Sequence, residues 1–279
     1  MNSFQGNRRN FQASRYTLTK SVLNPVETML LNPQRIATRE KLILAGLFLS
    51  KYDSIGVRKL GFQSFIEAYN VIGYALGGRP AAIKNYRDEF DPHFPNRRKG
   101  WHKRPTRDYC LKVFNEYKGL DLKTFTSLVK SFVGYDENAL SVEETKGESG
   151  AAFAKRLFTG FAAEHYFEAI QPRLPEFKGY EVENTTRLGC GYDFRLRREM
   201  DTNVLAVEVK GLTERTGSLS LTPKEHEVAG DLGNRFFLFV VKNFCKSPFH
   251  EIYQNPLSGP LRFAKKERVV LHVSWITNV

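Results

Sequence analysis

Residues 205–210, Leu-Ala-Val-Glu-Val-Lys, constrain the fold more than any other part of the sequence. Side chains alternate between the two faces of a β-strand, so Val207 and Val209 share one face while Glu208 and Lys210 share the other. Downstream, the apolar run 236–241 has the length of one strand that is buried on both faces. The two segments together predict a central sheet that carries an acidic and a basic side chain on one strand face.

A second short strand, in Gly191-Tyr192-Asp193-Phe194, brings another carboxylate into consideration. If this strand lies beside the first, Asp193 converges on Glu208, and two anionic oxygens form a seat for a hard divalent cation. Lys210 could then hold or deprotonate a water molecule beside the metal, which is the equipment for hydrolysing a phosphodiester. The alternative is a half-solvated strand with an ion pair across one face.

Two predicted helices flank these strands. In the helix predicted over 151–170, Phe153, Leu157 and Phe161 form an apolar stripe with Ala154 and Phe158 close beside it. Glu164 continues this stripe, so we expect its carboxylate to be buried and to need a partner or a metal. The alternative for Glu164 is a pair with Lys or Arg at the helix edge. The stretch 222–225, Thr-Pro-Lys-Glu, predicts a helix start that extends to about 231. Glu225 is therefore interpreted first as a cap and second as an accessory to catalysis.

The order of these pieces resembles the PD-(D/E)xK nuclease superfamily, and more closely its NO VEIN C-terminal domain branch, which is found attached to restriction and defence proteins. Tyr192 stands where the superfamily has a Pro. The resemblance covers about residues 150–245. It rests on five motifs in order: Gly160 with Ala163-Glu164, Gly191-Tyr192-Asp193, Val207-Glu208-Val209-Lys210-Gly211, Leu221-Thr222 with Glu225, and the strand from Phe236.

The resemblance implies a DNA endonuclease that depends on Mg²⁺ (or Mn²⁺) and leaves 5′-phosphate and 3′-hydroxyl ends. Asp193, Glu208 and the main-chain carbonyl of Val209 would bind the metal. Lys210 would position the attacking water, and Glu164 would steady the site through a water or a second ion. The alternative is a catalytically retired nuclease fold that binds DNA and recruits a partner.

The positive charge of the chain is concentrated away from these motifs. Residues 1–145 hold 23 Lys and Arg against 14 Asp and Glu, whereas residues 146–279 hold 19 against 16. The densest part, 97–107, has six cations and no acid, with Trp101 among them. We interpret it as a segment that contacts phosphates, with a solvated loop as the alternative. The predicted DNA-binding residues are Arg97, Arg98, Lys99, Trp101, Lys103, Arg104 and Arg107.

The first half of the chain reads as helical, with helices predicted over 39–51, 62–76, 81–90, 107–117 and 122–132. No recognition helix can be chosen among them. We therefore predict an α/β (α+β) protein: a helical N-terminal domain followed by a restriction-endonuclease-like domain with a mixed central sheet flanked by helices. The predicted boundaries are a basic DNA-binding domain over 1–133 with an arm over 1–25, an acidic linker over 134–150, and a nuclease domain over 151–279.

Composition excludes several other classes. No apolar run is long enough to span a bilayer and no signal peptide opens the chain, so we expect no membrane partner. The three cysteines form no CxxC pair, which argues against a zinc ribbon and fits a reducing cytoplasm. A Cys190 nucleophile stays open, whereas an HNH enzyme using His93 and His102 lacks the required spacing. The expected partner is double-stranded DNA, and a homodimer is left open.

Overall fold

The computed structural model describes residues 36–96, 98, 104–134, 149–198, 203–267 and 277. Over these ranges it contains seven α-helices and a five-stranded mixed sheet, with the helices mainly in the first half and the sheet in the second, which confirms the predicted fold class. None of the described helices is both long and apolar enough to cross a membrane. The helices are α1 (Thr38–Lys59), α2 (Phe65–Ala75), α3 (Pro80–Phe90), α4 (Asp108–Tyr117), α5 (Leu122–Ser131), α6 (Gly150–Ile170) and α7 (Pro223–Leu232), and the strands are β1 (Glu181–Asn184), β2 (Phe194–Arg197), β3 (Leu205–Gly211), β4 (Phe236–Lys242) and β5 (Phe249–Gln254).

Local signals in the sequence explain where the helices begin. The side chain of Ser64 accepts a hydrogen bond from the amide of Glu67 at the start of α2, and Asp121 caps α5 by accepting from the amide of Thr124. The first predicted helix ends too early, at residue 51. In the structure α1 continues to Lys59 past a kink at Asp53, whose backbone has φ 51° and ψ −138°.

The strands lie in the order β1-β2-β3-β4-β5, and only β3 and β4 run parallel to each other. Strand β4 is buried from Phe236 to Val241, as the apolar run predicts. Helix α6 crosses the sheet beside Gly211, where a Cβ atom would lie 2.7 Å from the carbonyl oxygen of Thr159. The glycine that ends the Val-Glu-Val-Lys motif therefore permits the close contact between helix and strand.

The buried face of α6 differs from the predicted one. Phe161 is 37% exposed, and the residues that contact the sheet are Thr159 and Ala163, which lie against Gly211, and Phe167, which packs on Phe194 and Phe239. A small side chain such as Ala163 allows a helix to approach a sheet more closely than Phe or Leu does. The predicted burial holds for Phe153 and for Leu157, which packs against the core, and is wrong for Phe161.

The helical half and the sheet share one continuous hydrophobic core. Helix α2 packs on α6, and the side chain of Asn70 donates hydrogen bonds to the carbonyls of Phe244 at 2.8 Å and Lys246 at 2.9 Å. The division at 134–150 stays a prediction, since 135–148 and the arm over 1–25 lie outside the described residues. The shared core means that experiments on either half should use the intact chain.

Candidate active site

Asp193 and Glu208 lie on neighbouring strands. Phe194 pairs with Val207 in the antiparallel β2–β3 ladder, which places Asp193, one residue before β2, across from Glu208. The Asp193 carboxylate accepts a hydrogen bond from the amide of Val209 at 2.8 Å. It therefore serves as the hydrogen-bond partner of β3 just beyond the end of β2.

The turn that precedes Asp193 requires a glycine. Gly191 has φ +89°, and a Cβ atom there would lie 2.9 Å from the Cγ2 atom of Val228 in α7. The glycine thus brings the turn against α7 and directs the chain into β2. This accounts for the Gly-Tyr-Asp motif in terms of backbone geometry.

Lys210 connects two carboxylates. Its Nζ lies 2.5 Å from Oε1 of Glu208 and 2.8 Å from Oε2 of Glu225. The same Oε2 accepts from the amide of Thr222 at 3.0 Å, and the Glu225 amide donates to the hydroxyl of Thr222 at 3.2 Å. The predicted capping box of α7 is present, and its glutamate also holds the lysine, a contact that no local sequence signal announces.

Burial and mutual repulsion disfavour charge on the acids of this site. Burial, and then the charge of Asp193, raise the pKa of Glu208 to about 9, although Lys210 opposes the shift. Burial likewise raises the pKa of Asp193, against the stabilising hydrogen bond from Val209. Burial and the nearby Asp193 raise the pKa of Glu164 to about 7. A cation would relieve all three carboxyl groups.

Lys210 remains positively charged. Burial lowers its pKa, but the facing carboxylates of Glu208 and Glu225 together more than compensate, and the pKa lies above the ordinary value for lysine. The ammonium group is thus a fixed positive charge at the edge of the carboxylate cluster. Such a charge can orient a water molecule or offset negative charge on a substrate.

Glu164 completes the cluster from α6. Its side chain is only partly buried, and it interacts electrostatically with Asp193 and Lys210. The structure brings Glu164 to the cluster, while its role there stays a prediction. The helix delivers Glu164 because the neighbouring Ala163 lies against Gly211 of β3.

The donor set suits a hard divalent cation, which binds carboxylate oxygens. Asp193 and Glu208 are adjacent carboxyl groups whose pKa values are raised, so a cation between them would stabilise their ionised forms. No group of three or more His, Cys, Asp or Glu side chains is arranged to hold a metal within the part of the chain that the structure describes. The site therefore offers a cation two carboxylates, those of Asp193 and Glu208. Glu164 lies nearby, and Lys210 donates a hydrogen bond to Glu208.

The described arginines of the basic segment bind buried acids. Arg104 contacts Glu89 through two nitrogens, at 2.9 and 2.6 Å, and Arg107 contacts the same carboxylate at 3.0 Å. Arg98 contacts Asp91 at 2.7 Å and Asp53 at 2.7 Å. Glu89 and Asp91 are each 2% exposed. These three arginines thus fix both ends of the segment to the helical core.

The other predicted DNA-binding residues lie outside the described residues: Arg97, Lys99, Trp101 and Lys103. Their contact with phosphate stays a prediction.

His93 faces the hydroxyl of Thr106 at 2.7 Å and packs on the ring of Phe114, and burial lowers the pKa of this histidine. His102 is not among the described residues either. Near Asp193, the thiol of Cys190 donates a hydrogen bond to the carbonyl of Tyr192 at 3.5 Å.

Residues 161–254 match the family described as Protein NO VEIN, C-terminal. The matched segment covers about a third of the chain and includes every acid and the lysine of the cluster. No curated protein and no solved structure shows significant similarity to the chain. The predicted resemblance to this domain is confirmed for these residues, while the wider relation to PD-(D/E)xK nucleases stays a prediction.

Proposed function

We propose that this protein is a metal-dependent DNA endonuclease that hydrolyses phosphodiester bonds. The observation that carries the proposal is the meeting of Asp193, Glu208 and Lys210 where β2 begins beside the central strand β3. A buried glutamate and a partly buried aspartate beside a lysine match what phosphodiester hydrolysis requires. The family match over 161–254 supports it, because the sequence motifs of that segment resemble those of restriction-like nucleases.

Each residue of the cluster has a role in this proposal. Asp193 and Glu208, with the carbonyl of Val209, hold Mg²⁺ or Mn²⁺. The bound ion supplies Lewis acidity and neutralises charge on the phosphate. Lys210 positions the attacking water and stabilises negative charge on the phosphorane-like transition state. Glu164 orients water in the same cluster. Glu225 keeps Lys210 in place through the cap of α7.

Double-stranded DNA is the proposed substrate, and restriction or defence against foreign DNA in the cytoplasm is the proposed setting. The basic balance of residues 1–145 favours a polyanionic partner. Within the basic segment, Arg97, Lys99, Trp101 and Lys103 are the proposed phosphate contacts. Arg98, Arg104 and Arg107 shape the segment through their ion pairs.

Incubation of the intact protein with supercoiled plasmid tests the proposal. We expect nicked and linear DNA with 5′-phosphate ends in the presence of Mg²⁺ or Mn²⁺, and no cleavage in EDTA. Phage DNA carrying modified bases serves as a second substrate. A protein that binds both DNAs but cuts neither with either ion would contradict the proposal.

A DNA-binding module with a retired active site is the second candidate. The observation that favours it is the bridge of Lys210 to Glu208 and Glu225, which neutralises part of the carboxylate cluster without a metal. Such a module would bind DNA equally well with Mg²⁺ or EDTA. Measuring binding alongside cleavage therefore separates the two candidates.

We expect Lys210→Ala to lower the cleavage rate by about 10²-fold while Mg²⁺ still binds, because a positioned charge at the reacting phosphate contributes on this scale. Single-turnover cleavage over a Mg²⁺ titration measures both effects. The matched control is Lys242→Ala, since Lys242 lies on adjacent β4 and pairs with Glu251 at 2.5 Å. Joint loss of metal affinity and folding in Lys210→Ala would instead assign Lys210 a structural role.

A further inference from the structure

Three lysines that are far apart in the sequence surround one open cavity. Lys59 ends α1, while Lys123 and Lys130 lie near the two ends of α5. The cavity has a volume of about 330 Å³, and Leu122, Thr126 and Ser127 complete its lining. It therefore concentrates positive charge at a concave surface of the helical half.

Helix stability explains two of these lysines but not the third: Lys59 and Lys130 lie in the last turns of α1 and α5, where the helix dipole favours a cation. Lys123 lies in the first turn of α5, where the helix dipole disfavours a cation, and its side chain is exposed. Lys59 is exposed as well. Lys130 approaches the carbonyl of Gly150, at the start of α6, at 3.4 Å. The exposed ammonium groups of Lys59 and Lys123 line the same cavity and repel each other, so an anion in the cavity would relieve the repulsion.

We propose that this cavity, lined by Lys59, Lys123 and Lys130, binds a backbone phosphate of nucleic acid. Two features favour nucleic acid over other anions. The N-terminal half carries the excess of positive charge, and the described arginines of the basic segment already hold Glu89 and Asp91. The lysine cavity is a concave basic surface of this half.

The position of the cavity suits a DNA duplex that also reaches the carboxylate cluster. Gly150, beside Lys130, and Glu164 lie on the same helix, fourteen residues apart. That separation corresponds to about 21 Å at 1.5 Å per residue. At about 3.4 Å per nucleotide step it spans roughly six steps of duplex. The role of the cavity in presenting DNA for cleavage rests on the proposed function, whereas phosphate binding does not.

The experiment measures DNA affinity of the intact protein in EDTA, so that cleavage plays no part. Fluorescence anisotropy with a labelled 20-base-pair duplex is followed over a range of salt concentrations. We expect the triple variant Lys59→Ala, Lys123→Ala, Lys130→Ala to bind at least about tenfold more weakly at 0.1 M salt. The slope of log K against log[salt] should become shallower by about 1, because the one phosphate contact of the cavity is lost.

A charge-matched control removes three exposed lysines on other surfaces: Lys84, Lys112 and Lys178, each changed to Ala. We expect wild-type affinity and slope from this control. If the triple variant fails to fold, the double variant Lys59→Ala, Lys123→Ala decides the question, with weaker binding and an expected slope change of up to about 1.

Unchanged affinity and slope in the folded lysine variants would overturn the inference. The inference would also be overturned if the lysine variants bound DNA like the wild type but had lost binding to anionic lipid vesicles. Failure of the proposed function would look different, since DNA binding would persist and depend on the lysines while no cleavage occurred with Mg²⁺ or Mn²⁺.

Discussion

Asp193→Asn and Glu208→Gln should each lower the rate of DNA cleavage by more than about 10³-fold, which corresponds to about 4 kcal/mol of activation free energy. Both changes keep the shape of the side chain but remove the charge that would hold a divalent cation. DNA affinity should stay close to that of the wild type, because neither acid attracts phosphate in the absence of a metal. Single-turnover cleavage with Mg²⁺ tests the first statement. DNA affinity, measured in EDTA on the same preparations, tests the second.

The matched control for these variants is Glu181→Gln, an exposed acid on β1 of the same sheet. It should cut DNA at the wild-type rate. Thermal unfolding shows whether a slower variant is merely less stable. We expect Glu208→Gln to stay folded, because Lys210 keeps Glu225 as a partner. Cleavage that survives both Asp193→Asn and Glu208→Gln would reject the assignment of these residues.

Local patterns predict much of the candidate site. Alternation in 205–210 predicts strand β3 and the shared face of Glu208 and Lys210, and the Thr-Pro-Lys-Glu start predicts α7. Strand β1 could not be predicted in this way, because all four of its residues are exposed and it exists through pairing with β2. Strand β5 is a partly exposed edge strand that depends similarly on β4.

Contacts between distant segments are what the sequence does not show. A run of cations at 97–107 is visible in the sequence, but its partner Glu89 looks like an ordinary helix residue until the fold buries it. Conversely, Lys59, Lys123 and Lys130 form no run, so only the packing of α1 against α5 brings them together. A high density of cations along the sequence therefore does not show where positive charge gathers on the surface of the folded protein.

Glu89→Gln should lower the free energy of unfolding by about 3 kcal/mol, near the lower end of the range for breaking a buried ion pair. The Glu89 carboxylate accepts from both terminal nitrogens of Arg104 and from the amide and Nε of Arg107. An amide replaces one accepting oxygen with a donor, which faces a guanidinium and cannot pair. The loss stays near the lower end because Arg104 and Arg107 are 34% and 38% exposed. Urea unfolding measures the change.

The matched control is Asp88→Asn, the preceding residue, whose carboxylate pairs with Arg87 at 2.6 Å and is 18% exposed. It should cost less than about 1 kcal/mol, because Arg87 also faces the carboxylate of Asp91 at 3.7 Å and keeps that partner when Asp88 is replaced. Equal stability of Glu89→Gln and Asp88→Asn would contradict the buried clamp.

The same clamp predicts how the stability difference depends on pH. Burial raises the pKa of Glu89, but the hydrogen bonds and charges of Arg104 and Arg107 outweigh it, and the pKa lies below the ordinary value. The unfolded chain therefore binds the proton more tightly than the folded one, so the stabilisation is complete above the unfolded value of about 4.3 and is lost as pH falls through the lower folded pKa. The gap in unfolding free energy between wild type and Glu89→Gln should thus be constant from pH 8 to 6 and shrink below about pH 4. A gap that widens in acid would mean that Glu89 is protonated in the folded protein, and the two arginines would then have no anionic partner there.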